Sequence, residues 1–69
     1  MVKGMRRRDV ARELRRHGCT VLRDKGGHEV WGCPCGQHRA PVPHHTMISP
    51  GVVRSIRNTM GCLPEGWLQ

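Results

Sequence analysis

The segment Lys-Gly-Gly-His at residues 25–28 decides the fold, because it separates two runs of residues that favour extended structure. One run covers residues 19–23 and the other covers residues 28–33, and both contain β-branched or aromatic side chains of the kind that strands prefer. Two successive glycines between such runs are a strong turn composition. The sequence therefore predicts a hairpin with its turn at the two glycines.

A third extended run at residues 38–43 follows a second turn, Pro-Cys-Gly-Gln, at residues 34–37. Pro41 and Pro43 lie within this run, and a proline has no N–H group to donate to a neighbouring strand. We therefore expect the third run to be an edge strand of an antiparallel meander.

A short amphipathic helix is predicted before the strands, at residues 7–17. Val10, Ala11 and Leu14 recur there at helical spacing among arginines, and Gly18 stands where a helix commonly ends. This apolar stripe predicts that one side of the helix packs on the sheet.

A second helix is predicted after the strands, with Ser49 as its N-cap and Pro50 as its first helical residue. We expect it to end at Gly61. Its expected buried stripe consists of Val52, Val53, Ile56 and Met60. The apolar tail at residues 62–69 is expected to pack back onto the domain.

The element order α-β-β-β-α predicts an α+β fold of two layers, in which both helices cover one face of a three-stranded antiparallel sheet. The chain has 69 residues, of which 36% are hydrophobic, so it has room for one thin core. We therefore expect a single domain over residues 1–69 and exclude a multidomain enzyme. A core of this size is commonly supplemented by a metal, a disulfide, self-association or a stable partner.

The charge of the chain indicates a polyanionic partner. Lys and Arg number 12 against 5 Asp and Glu, which gives a formal net charge of +7, and most of the cations are arginine. Arginine is the side chain best suited to bidentate contact with phosphate, so nucleic acid or an acidic protein surface is favoured. With no apolar run of the roughly 20 residues that a membrane span needs, and no secretory signal, we expect a cytoplasmic protein.

Three motifs, in this order, resemble the HicA family of small bacterial toxins. They are the turn at residues 25–28, the Val-Pro-His-His segment at residues 42–45, and Ile-Ser-Pro-Gly-Val-Val-Arg-Ser-Ile at residues 48–56. The resemblance covers nearly the whole chain and implies a double-stranded-RNA-binding-like fold. It further implies an endoribonuclease that cleaves mRNA without a catalytic metal or other cofactor, and that a HicB-like antitoxin holds inactive.

The resemblance also implies that His28 is the single catalytic histidine, because the family's histidine follows a glycine and a small residue at the start of the second strand. A histidine with its ordinary pKa of about 6.5 can take or give a proton at neutral pH. Without the resemblance, His28 would be interpreted as a surface residue beside a turn. Many relatives carry a Ser or Thr hydroxyl before the histidine, where this chain has Gly27.

Other residues are candidates for binding the RNA backbone. The glycines Gly26 and Gly27 let a phosphate approach closely, and Lys25 is a candidate phosphate clamp. Either His44 or His45 is a candidate second proton carrier or backbone contact, and the sequence leaves both open. The arginines expected to share one phosphate-binding surface are Arg6, Arg7, Arg8, Arg39, Arg54 and Arg57. Each of these side chains, taken alone, is also consistent with a solvated surface.

Cys33, Cys35 and His38 form a potential three-ligand zinc cluster, because thiols two residues apart on a strand project from the same face. Their C-x-C spacing is shorter than is usual for structural zinc. The fourth ligand stays open among Cys19, Cys62, His44 and His45. We therefore expect free, reduced cysteines, since a disulfide between Cys33 and Cys35 closes a tight ring.

Two other functions are consistent with the sequence. One is a non-catalytic RNA-binding or zinc-knuckle-like module, in which replacing His28 changes no reaction. The other is a protein-interaction module whose apolar tail, with Leu63, Trp67 and Leu68, docks a partner, and which binds no RNA at low salt.

Overall fold

The computed structural model of the chain describes residues 3–64 and 66–68. Its elements, in chain order, are β1 (Met5–Arg6), α1 (Arg7–Arg16), β2 (Thr20–Lys25), β3 (His28–Gly32), β4 (Arg39–Pro43), β5 (Met47–Ile48) and α2 (Pro50–Thr59). The predicted α+β arrangement of two helices and a three-stranded antiparallel sheet is confirmed. The short strands β1 and β5 are an addition, and they pair with each other in antiparallel register.

The main sheet has the strand order β2-β3-β4, and both of its ladders are antiparallel. Lys25 pairs with His28 across the glycine turn, and His28 pairs on its other side with Pro43. Strand β4 is an edge strand, as its two prolines predict. The hairpin therefore places His28 on the central strand, at the end nearest the turn.

The core lies between this sheet and the helices. Trp31 in β3 is 1% exposed, and the guanidinium of Arg15 lies 5.3 Å from the centroid of its ring. The same cluster of buried side chains contains Val10, Ala11, Leu14, Ala40, Val42, Ile48, Val53, Ile56, Met60 and Leu68. Because residues of both helices join one cluster with Trp31, the helices cover the same face of the sheet.

Two described residues of the tail, Trp67 and Leu68, pack into the core. Leu68 is buried, and the ring of Trp67 meets that of His17 edge to face, with 5.7 Å between the centroids. These two tail residues belong to the domain's own core, so they are not the docking surface of a protein-interaction module. Leu63 packs against the core while keeping part of its surface exposed.

Helix α2 begins as predicted, with an extended Ser49 followed by Pro50, although the Ser49 side chain makes no capping hydrogen bond. It ends at Thr59 rather than at Gly61, because the backbone of Met60 already leaves helical geometry. Among the described residues, no helix is both long enough and apolar enough to cross a membrane.

Candidate functional site

The turn between β2 and β3 requires its two glycines for their backbone angles. Gly26 has φ +64° and Gly27 has φ +80°, the pair of positive values found in the tightest β-hairpin turns. Nothing lies within 4 Å of where a side chain would begin at either position. The backbone conformation, and not a shortage of space, therefore favours glycine at both positions of the turn.

His28 leaves this turn exposed to solvent. Its Nδ1 atom lies 3.4 Å from the carbonyl oxygen of Gly26. Because a carbonyl oxygen only accepts hydrogen bonds, this contact fits the tautomer that carries the proton on Nδ1. The Nε2 atom of that tautomer holds a lone pair, which is the form of imidazole that takes a proton from a substrate hydroxyl.

The sheet face that bears His28 points away from the helices, and we call it the open face. Side chains alternate along a strand, and Trp31 points into the core, so His28 and its cross-strand partner Lys25 lie on the other side. Arg23 and Arg39 share this face and line one groove of about 470 Å³. The open face therefore combines a histidine with three cationic side chains.

His28 also lines a smaller groove of about 240 Å³ between the β4 edge and α2. Pro43 forms one wall, and Ser55 and Thr59 bring hydroxyl groups from the helix. Sequence reasoning missed these two hydroxyl residues and Arg23. Only the position of α2 puts the hydroxyl groups in the groove of His28, and only the strand register puts Arg23 on the same sheet face as His28.

His44 contacts the hairpin at two places, the glycine turn and Asp24 of β2. Its backbone N–H donates to the carbonyl oxygen of Gly27 at 2.9 Å, and its Nε2 atom lies 3.0 Å from Oδ1 of Asp24. Glu29 pairs with Asp24 across the strands and joins the same cluster, within 4.8 Å.

Glu29 is on the helix-bearing face, because it forms an ion pair of 2.5 Å with Arg7 of α1. The structure therefore places His44 opposite the open face, and His45 lies exposed after it.

The arginines at the start of α1 form a group of their own. A groove of about 660 Å³ is lined by Arg6, Arg7, Arg8 and Arg15 together with Thr46 and Met47. The guanidinium of Arg7 is already paired with Glu29. These cations are separate from the open face.

The arginines of α2 lie apart from both groups. Ser55 and Thr59 face the groove of His28, and at 3.6 residues per turn Arg54 and Arg57 point to other sides of the helix. Arg57 lines a fourth groove near the tail, and Arg54 is exposed. The structure therefore distributes the predicted arginines over separate grooves, with Arg39 at the open face, the α1 arginines in a second place and Arg57 near the tail.

A cluster of sulfur and imidazole ligands occupies the opposite end of β3. The ligand atoms of Cys33, Cys35, His38 and Cys62 all lie within 4.8 Å of one another. The Nδ1 atom of His38 is 3.3 Å from the Cys33 sulfur and 3.1 Å from the Cys35 sulfur. Of the candidates for a fourth ligand, Cys62 therefore joins the predicted three.

The structure joins the sulfur atoms of Cys33 and Cys35 in a disulfide, so the expectation of free thiols is wrong for this state of the chain. The turn brings the two together, since the N–H of Gly36 donates to the Cys33 carbonyl oxygen at 3.0 Å. Cys19 is a buried free cysteine outside the cluster. Burial, and secondarily the neighbouring Cys62, raises the pKa of the Cys19 thiol.

These features define a class: small basic α+β proteins with an exposed histidine at a glycine turn, on the open face of a three-stranded sheet. Comparison with known families matches residues 7–62 to the family described as HicA toxin of bacterial toxin-antitoxin. The match covers well over half of the chain, which therefore belongs to the HicA toxin family. The family assigns it the role of toxin and implies a cognate antitoxin as its partner. Searches of curated proteins and of solved structures give no match.

Proposed function

We propose that this toxin is an endoribonuclease that cleaves mRNA by internal transesterification, with His28 as a proton-transferring residue. The observation that carries the proposal is the placement of His28, exposed at the turn with its Nδ1 atom toward the Gly26 carbonyl oxygen. A base at Nε2 takes the proton of a ribose 2′-OH, whose oxygen then attacks the adjacent phosphorus. The bond from phosphorus to the 5′-oxygen breaks, leaving a cyclic phosphate and a 5′-OH end.

Cations of the open face support this reaction. Charge accumulates on the phosphate oxygens as the new bond forms, and Lys25 lies directly across from His28. Arg39 and Arg23 extend the positive surface along the sheet, where they contact neighbouring phosphates without reading the bases. We assign these three side chains to RNA binding, together with the close backbone approach that Gly26 and Gly27 allow.

A second group must protonate the leaving 5′-oxygen. Both histidines are exposed, but His44 is engaged with Asp24 on the helix-bearing side, whereas no such ion pair of His45 is found among the described residues. We therefore propose His45 as the first candidate for this proton donor. His44 then holds the turn in place through its backbone contact with Gly27.

The open face is also the surface that we expect the antitoxin to cover. A HicB-like protein that covers His28 and places carboxylates against Lys25 and Arg39 blocks RNA and toxin activity together. Opposite charges speed such an encounter toward about 10⁸–10⁹ M⁻¹s⁻¹ at low salt. Antitoxin and RNA are then expected to compete for the open face, and saturating antitoxin is expected to protect His28 from diethyl pyrocarbonate. Full reactivity of His28 in an inactive complex would contradict this arrangement.

The decisive experiment compares RNA cleavage by the wild-type chain, His28→Ala and His28→Gln. Loss of a general acid or base lowers the rate by about 10²–10⁴-fold. Because His28 is exposed, we expect the free energy of unfolding to change by less than about 0.5 kcal/mol. Urea unfolding checks this second expectation on the same samples.

His17→Gln is the matched control, because His17 packs against the tail and lies outside the proposed site. It is expected to cleave RNA at close to the wild-type rate once its folded fraction is taken into account. A folded His28→Ala variant that cleaves at the normal rate, with chelator present to suppress contaminating nucleases, would refute the proposal.

A further inference from the structure

We propose that Cys33, Cys35, His38 and Cys62 bind one Zn²⁺ ion when the chain is reduced. Three thiolates and one imidazole are a donor set typical of structural zinc. With Zn–S bonds of about 2.3 Å and Zn–N bonds of about 2.0–2.1 Å, a tetrahedral site holds its ligand atoms roughly 3.5–4 Å apart. The four ligand atoms already lie within 4.8 Å of one another.

The loop at residues 33–38 is built to keep these ligands together. The N–H of Cys33 donates to the carbonyl oxygen of His38 at 3.0 Å, which closes the loop at its base. The backbone N–H of Gln37 points at the Cys35 sulfur, with 3.4 Å between nitrogen and sulfur. A backbone N–H directed at a cysteine sulfur stabilises the thiolate form, and such outer contacts commonly orient metal ligands.

Cys62 supplies the ligand that is distant in sequence. It follows the end of α2, and the neighbouring Gly61 lies against the Nε2 side of the His38 ring. A side-chain carbon at Gly61 would stand 4.0 Å from that Nε2 atom, while Nδ1 faces the sulfurs. A metal held here ties the β3–β4 loop to the end of α2, and in a domain with a thin core such a bond contributes directly to folding.

The disulfide between Cys33 and Cys35 accounts for two of the four clustered groups, while the His38 ring and the Cys62 sulfur lie beside it within 4.8 Å. Disulfide and metal site are alternative states of the same sulfurs. A thiol reductant supplies two electrons, and the two sulfurs each take up a proton to give the free thiols. Binding of Zn²⁺ to three cysteines and a neutral imidazole then releases three protons.

This metal site is separate from the proposed catalytic residue. His28 begins β3 and Cys33 follows its last residue, so five residue steps of about 3.3 Å put the two roughly 16 Å apart. We therefore infer a structural ion, whose test is independent of RNA cleavage.

The first test uses the full chain, purified with a phosphine reductant present. Elemental analysis is expected to find one Zn²⁺ per chain. Titration of the metal-free chain with Co²⁺ is expected to give the intense visible absorption of tetrahedral cobalt, together with a thiolate charge-transfer band. A reduced wild-type chain that binds no zinc, or that gives the weak spectrum of octahedral cobalt, would overturn the proposal.

The second test assigns the distant ligand. Cys62→Ser is expected to weaken Zn²⁺ binding by about tenfold or more, whereas Cys62→His retains a tetrahedral cobalt spectrum. The matched control is Cys19→Ala, which removes the free cysteine outside the cluster and is expected to retain wild-type affinity. Equal affinity of Cys62→Ser and wild type would show that Cys62 is not a ligand. If Cys62→Ser does not fold, the cobalt spectrum of Cys62→His decides.

Discussion

Strand β3 has two ends that differ in exposure, in backbone and in chemistry. At the first end His28 is exposed, lies between Lys25 and Pro43 in the ladder, and follows a turn of positive φ angles. At the other end Gly32 is buried, and the chain runs directly into Cys33 and the cluster of thiols and imidazole. The difference shows that the two ends of one strand present different chemistry. One end leaves an imidazole open to solvent, and the other gathers sulfur and imidazole groups within 4.8 Å of one another.

The largest expected effect comes from the residue that supports both ends. Trp31→Ala truncates a tryptophan side chain that is 1% exposed, and such truncations cost about 3–5 kcal/mol. In a domain of this size that loss approaches the whole stability, so we expect RNA cleavage and the tetrahedral cobalt spectrum to disappear together. Urea unfolding measures the loss, with Val21→Ala as control, because Val21 pairs with Trp31 but is 40% exposed. Loss of RNA cleavage with retention of the cobalt spectrum, or the reverse, would show that the two ends of β3 fold independently.

An intermediate effect is expected from a change confined to the open end. Gly27→Ser places a side chain at φ +80°, which costs about 1–2 kcal/mol even though the space around it is free. We expect lower stability with an unchanged cobalt spectrum, measured on the same sample. Gly51→Ser is the control, because Gly51 has equal space without the positive φ angle. An equal loss of unfolding free energy in Gly27→Ser and Gly51→Ser would mean that the positive φ angle of the turn does not determine the residue type at position 27.

The smallest expected effect concerns the ion pair between Glu29 and Arg7, which joins the hairpin to α1. Glu29→Gln breaks the ion pair with Arg7 and is expected to lower the free energy of unfolding by at most about 1 kcal/mol, less at high salt. Glu13→Gln is the control, since the Arg12 and Arg16 partners of Glu13 are 71% and 75% exposed. We expect no measurable change for Glu13→Gln in the same urea titration. A larger cost at Glu13 than at Glu29 would contradict the importance of this contact for the hairpin.

Features that depend on local chemistry were predictable from the sequence. Two glycines located the hairpin, two prolines located the edge strand, and Ser49 with Pro50 located the start of α2. Each of these residue types restricts its own backbone, so its meaning does not depend on distant parts of the chain.

Features that depend on three-dimensional register were not predictable. The strands β1 and β5 contain two residues each, which is too short for any period to show. Arg23 joins the open face only through its pairing with Val30. Among four candidates for the last cluster ligand, only the packing of α2 could select Cys62. The arginines show the same limit, because composition gives the net charge but not the places on the surface where the charged side chains lie.

The two edges of the main sheet resist further strand pairing by different means. Prolines in β4 remove hydrogen-bond donors, so that edge is blocked by covalent structure. The β2 edge retains its donors, and Arg23, Asp24 and Lys25 cover it with charge. Only the second barrier depends on solution conditions, since salt screens charge and leaves proline unchanged. Growth of the sheet by addition of a second chain, the first step toward aggregation, is therefore confined to the side of β2 and is favoured by high ionic strength.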